Sequence, residues 1–164
     1  MTRRTFDPGL CPVGRTLGRV GDTWSLMILR DALQGVTKFD QFEKSLGVAP
    51  NILTQRLAAL VEAGFLERRP YQERPVRHEY LLTDLGRDFA PVLTALMAFG
   101  NRHYAAEGVA SQMVDTVTGL PAEPVLVDRR SGKPMDSPDF VYAAGPAADP
   151  VVLERVAQVA RGRR

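Results

Sequence analysis

Asn51, Thr54, Gln55 and Arg56 lie within one short stretch, and their side chains are of the types that read base-pair edges. An Asn or Gln amide can pair with adenine through two hydrogen bonds, and an Arg guanidinium can do the same with guanine. Thr offers a hydroxyl to a base or its methyl to thymine. No acidic residue follows Asn51 until Glu62, so nothing in the first two turns repels phosphate. A second group, Arg68, Arg69, Arg74 and Arg77 with Lys38 upstream, suits phosphate contact, which fixes register on a duplex without reading it. Other chemistries lack their parts. His78 and His103 do not have metal-ligand spacing, so no metal is expected. No nucleophile–base pair, phosphate-cradling Gly loop or carboxylate cluster supports an enzyme or a cofactor.

The elements that must hold these residues can be read from apolar spacing. Phe39–Leu46 reads as a short helix and 47–50 as a turn. A helix over 50–63 follows, with Leu53, Leu57 and Leu60 on one face. Turning those leucines inward puts Asn51, Thr54, Gln55 and Ala58 outside, with Arg56 on the flank. Residues 65–69 and 76–82 read as strands joined by 70–75, so the loop 70–77 forms a basic wing with Arg74 at its tip. Arg68 or Arg69 could instead pair with Glu67, Glu73 or Glu79, which would stabilise little. The expected fold is mainly α with a β-hairpin wing, an α+β winged helix-turn-helix with a small β-containing C-terminal extension. On a lone helix the Asn51–Arg56 face would read as ordinary solvated surface. Between a short helix and a basic hairpin it reads as a face for the DNA major groove.

Around this centre, residues 1–9 read as a loose arm and 11–20 as a helix. Asp22 is the expected cap of a helix containing Trp24, Ile28, Leu29 and Leu33; Thr37 and Thr83 are expected to cap later ones. Trp24 is expected in the core. From Asp84 helical spacing continues through Val92, Leu96, Phe99 and His103, interrupted at Pro91, which must kink or break the run. So long an apolar face needs a cover. A second copy, packing through Val13, Leu17, Val92, Leu96, Phe99 and His103, is the expected one.

Residues 114–121 and 127–134 share the pattern Val-Asp-x-x-(Thr/Ser)-Gly-x-Pro, which predicts two similar turns. Residues 143–150 read as a linker, and Asp149-Pro150 as the start of a last helix ending in Arg161, Arg163 and Arg164. The domain division expected is 1–107 for DNA binding and dimerisation and 108–164 for the extension. The formal charge is only +2, but residues 1–104 hold 14 Lys and Arg against 11 Asp and Glu. A single cysteine, Cys11, excludes an intramolecular disulfide framework and fits a reducing compartment. With no apolar stretch of signal-peptide or membrane-spanning length, the expectation is a cytoplasmic protein without a membrane partner.

Residues 11–33, with Leu53-Thr-Gln-Arg-Leu57, Ala63-Gly-Phe-Leu-Glu-Arg-Arg69 and Tyr80-Leu-Leu-Thr-Asp-Leu-Gly86, strongly resemble the HxlR family of bacterial winged-helix regulators. The resemblance covers about residues 10–104. It implies a homodimer that binds double-stranded DNA at an inverted-repeat operator, with 51–56 on the recognition helix and 70–77 on the wing. It also marks Cys11, just before Pro12-Val13, as a candidate redox sensor, since some members sense oxidants or electrophiles there. Arg15 and the helix N-terminus could lower its pKa, whereas burial would raise it. The function expected is a sequence-specific repressor answering an unidentified small-molecule or redox signal. The alternative class is a protein-interaction module on a winged-helix scaffold.

Overall fold

The structure, a computed structural model, describes residues 9–162. The expected arm at 1–9 lies, apart from Gly9, outside these residues, as do Arg163 and Arg164. The chain divides into two compact units, one of residues 19–124 and the other of 9–18 with 125–162. The division therefore falls elsewhere than at 107, and the N-terminal segment groups with the C-terminal one.

The larger unit holds the winged helix. α1 (Pro12–Val20) ends in it at the buried Val20. α2 (Thr23–Leu33) is capped as expected by Asp22, whose carboxylate accepts from the Ser25 N–H at 3.0 Å, a cap worth about 1 kcal/mol. α3 (Phe39–Leu46) begins one residue later than a Thr37 cap requires. Its cap position is Lys38, whose N–H donates to the Gln41 side chain at 3.1 Å. The Thr37 carbonyl is used otherwise, accepting from the Tyr80 N–H at 2.7 Å and tying this loop to the hairpin. Gly47, at φ 60°, closes α3 in the left-handed region, where glycine carries no Cβ penalty. α4 (Pro50–Glu62) then turns Leu53, Leu57 and Leu60 fully inward, against Ile28 and Leu29 of α2 and Phe42 of α3 in one core. Each such leucine contributes roughly 1.5–3 kcal/mol of burial. Trp24 packs against that core but is only half-buried.

The hairpin is longer than the sequence suggests. β1 (Leu66–Glu73) and β2 (Val76–Leu82) pair antiparallel from Leu66↔Leu82 to Glu73↔Val76, leaving only Arg74 and Pro75 as the turn. Pro70 and Pro75 read as loop residues, yet Pro70 stands beside a bulge at Tyr71, where proline is tolerated. Tyr71 has no partner in the ladder. Thr83 caps α5 (Asp84–Asp88) as expected, its hydroxyl accepting from the Gly86 N–H at 3.1 Å. Pro91 marks a break rather than a kink: α6 (Ala90–His103) restarts with that proline in its first turn. The Phe65 and Phe89 rings meet edge to face at 5.7 Å and are buried.

In each of the two repeats the predicted turn forms, closed by an isolated bridge, Val114↔Pro121 or Val127↔Pro134. Asp115 accepts from the Val117 and Thr118 N–H groups at 2.8 Å, and Asp128 from the Ser131 N–H at 2.9 Å. These bonds, with one from the Ser131 hydroxyl to Asp128 at 2.7 Å, hold both carboxyl pKa values below the usual range, the Thr118 N–H being the largest cause for Asp115 and the Ser131 hydroxyl for Asp128. Gly119 and Gly132 both adopt φ 71°. The extension contains no strand among the described residues, only these bridges, so it is less β-like than expected. In the smaller unit α7 (Pro150–Gly162) starts where Asp149 accepts from the Val152 N–H at 2.8 Å.

Candidate nucleic-acid interface

Burial of Leu53, Leu57 and Leu60 leaves Asn51, Thr54, Gln55 and Ala58 exposed on α4. The amides of Asn51 and Gln55 make no hydrogen bond among the described residues and are free for a base edge. The Thr54 hydroxyl donates to the Pro50 carbonyl at 2.8 Å, so it presents lone pairs and a methyl group outward. Ala49 occupies the cap position without a side-chain bond, and since Pro50 has no N–H and those of Ile52 and Leu53 donate to the Ala49 carbonyl, the Asn51 N–H is the one left for a phosphate at the start of α4.

Arg56 is placed differently from its neighbours. It is half-buried, and its Nε lies 3.2 Å from Asp22 Oδ1, an ion pair without hydrogen-bond geometry between α4 and the cap of α2. Periodicity put Arg56 on the flank, but only the fold could show that Asp22 faces it.

The wing cations divide into two sets. Arg69 pairs with Glu67 at 2.6 Å, one of the pairings the sequence allowed, and Arg68 Nη2 lies 3.0 Å from His78 Nδ1. Arg74 and Arg77, at and beside the turn, are exposed and make no ion pair among the described residues. Lys38 Nζ stands 4.7 Å over the Tyr71 ring, a cation–π contact that holds it against the hairpin. The arrangement is an exposed polar helix face and, in the same unit, a hairpin tip with two unpaired guanidiniums. Among the described residues no group of three or more potential ligands could hold a metal, and no helix is long and apolar enough to cross a membrane.

A family model described as HxlR-like helix-turn-helix matches residues 19–108. The chain belongs to the HxlR-like family. Its fold is that of a winged helix-turn-helix, and its class is a DNA-binding transcriptional regulator, a family that is not an enzyme class. It is 37% identical over 135 residues to an uncharacterized HTH-type transcriptional regulator of Mycobacterium tuberculosis, covering 82% of this chain and 85% of that one. Among solved structures, a provisional transcription factor from Pseudomonas aeruginosa is 48% identical, with a TM-score of 0.63 over 88% of this chain and 99% of its own. A second provisional transcription factor is 39% identical, with a TM-score of 0.73 over 84% and 96%. Each of these likenesses covers more of this chain than the family model does, so part of the chain outside residues 19–108 is matched as well.

Cys11 of this HxlR-like chain is part-buried at the start of α1. Its thiol pKa is lowered, first by the Gly14 N–H, which donates to Sγ at 3.5 Å, against some desolvation. The Arg155 side chain lowers it further. Arg15, the cation expected in that role, has its Nε on the Gly9 carbonyl at 3.0 Å instead. No sequence signal links Arg155 to Cys11 across 144 positions; only the grouping of 9–18 with 125–162 brings them together.

Proposed function

We propose that this HxlR-like protein is a homodimeric, cytoplasmic repressor that reads an inverted-repeat operator. The observation that carries the reading is the exposed Asn51, Thr54 and Gln55 face of α4 in one unit with the unpaired Arg74 and Arg77 of the wing. Two such helices about 34 Å apart would enter successive major grooves while the wings and Lys38 contact backbone. The second copy would cover α6, a 14-residue helix with no buried residue, on which Val92, Leu96, Phe99 and His103 are exposed. Val13 and Leu17 of α1 are likewise exposed.

Fluorescence anisotropy against the gene's own upstream DNA and a scrambled duplex, at 50 and 200 mM salt, tests this. The native duplex should bind more tightly, and affinity should fall at least about 100-fold with added salt as counterions are displaced. Equal, salt-insensitive binding to both would favour the protein-interaction reading. Arg56→Ala should weaken both duplexes alike, because it frees α4 from Asp22. A loss confined to the native duplex would return Arg56 to base reading.

A second reading, repression relieved by thiol oxidation, is favoured by the lowered pKa of Cys11. With one cysteine per chain, the disulfide would join two chains or a chain and a small thiol. Since the thiolate reacts, alkylation of Cys11 by iodoacetamide should reach half its maximal rate at a lower pH than free cysteine does. A midpoint at or above that of free cysteine would remove this reading.

A further inference from the structure

The smaller unit contains a cavity of ≈ 720 Å³ between the start of α1 and α7 with the segment before it. That volume lies inside the roughly 300–1,000 Å³ of small-molecule sites. Its walls are mainly aliphatic, Leu10, Val152 and Val156 among them. The charges among the lining residues are of one sign only, Arg15 and Arg155, with no Asp or Glu. Arg155 is exposed and stands by Cys11, which also lines the cavity. An apolar guest alone would make no use of the guanidinium beside it, and a fully polar anion would forgo the aliphatic walls. The fitting guest therefore has both parts.

We propose that this cavity binds a small amphipathic carboxylate, its apolar body against Leu10, Val152 and Val156 and its anionic head on Arg155. The site goes beyond DNA binding and does not depend on it, because every lining residue lies in the unit that does not carry the α4 face. It gives the extension a role as a receptor for an organic acid.

Calorimetric titration of the full chain, without DNA, uses 2-naphthoate and octanoate, each beside its neutral alcohol. At least one acid should bind, tenfold or more tighter than its alcohol. Arg155→Gln should erase that preference while leaving alcohol binding unchanged. Val156→Trp, checked for folding by circular dichroism, should abolish binding of both. The bound acid should also slow the reaction of Cys11 with Ellman's reagent. Failure of both acids to bind, equal affinity for acid and alcohol, or a preference that survives Arg155→Gln would overturn the proposal. So would a Val156→Trp variant that loses self-association in the ultracentrifuge and keeps its ligand, since the cavity would then be a surface for a second copy.

Discussion

Replacing Gly86 with Ala is expected to cost about 3 kcal/mol of stability, the upper end of what overpacking a site that cannot relax produces. A Cβ there would stand 2.8 Å from Leu82 Cδ2 and inside van der Waals contact of the Phe65 carbonyl oxygen. Neither backbone can easily give way. The Gly86 N–H is held by the Thr83 hydroxyl, which itself donates to the Gly64 carbonyl at 2.6 Å, while the Phe65 carbonyl accepts from the Thr83 N–H at 3.1 Å. One glycine thus sits where the end of β2, the start of β1 and α5 are locked together. The melting temperature should drop by more than about 10 °C. A drop below about 2 °C would show that this junction yields more easily than its bonds imply.

The largest functional effect should come from Leu96→Glu combined with Phe99→Glu. Both side chains are about half exposed on α6. Carboxylates there should not unfold the chain, but they would have to be desolvated beneath a second copy. The variant should sediment as a monomer with an unchanged circular dichroism spectrum. Operator affinity should fall at least about 100-fold, because binding one half-site no longer makes the second intramolecular. The salt slope should roughly halve, since half the phosphate contacts remain. A variant that stays dimeric, or a monomer that keeps its affinity, would remove α6 from the proposed mechanism.

Legibility followed interaction range. Leu53, Leu57 and Leu60 announced the inner face of α4 through their spacing alone, and Asp22 and Thr83 were readable as caps because a cap bonds within three residues. Thr37 misled for a related reason. It has the chemistry of a cap, but its carbonyl is engaged by Tyr80, far along the chain, and the helix starts after it. The hairpin was underestimated because Pro70 and Pro75 signal a loop, and a bulge lets pairing run past the first of them. Within the candidate interface the exposed amides were legible, whereas the Arg56–Asp22 and Arg68–His78 contacts were not, since each joins elements whose approach is set by packing. The closure of the two Asp-centred turns was local and therefore visible. The Cys11–Arg155 proximity was the least legible, having no periodicity to announce it.

The unpaired Tyr71 also sets which changes of length the wing can absorb. Every other residue of β1 has a partner across the ladder, so removing one would move the side chains between it and Tyr71 to the opposite face. Removing Tyr71 alone would bring Pro70↔His78 and Gln72↔Arg77 into regular succession with no side chain changing faces. What it would take away is the ring beneath Lys38. Loss of a single codon is therefore tolerable to the hairpin at the bulge and more disruptive farther along β1, where every residue between the loss and Tyr71 would change faces. Among HxlR-like proteins, wings one residue shorter should carry their gap at the position of this bulge, and those that lose Tyr71 itself lose the aromatic–lysine pair with it.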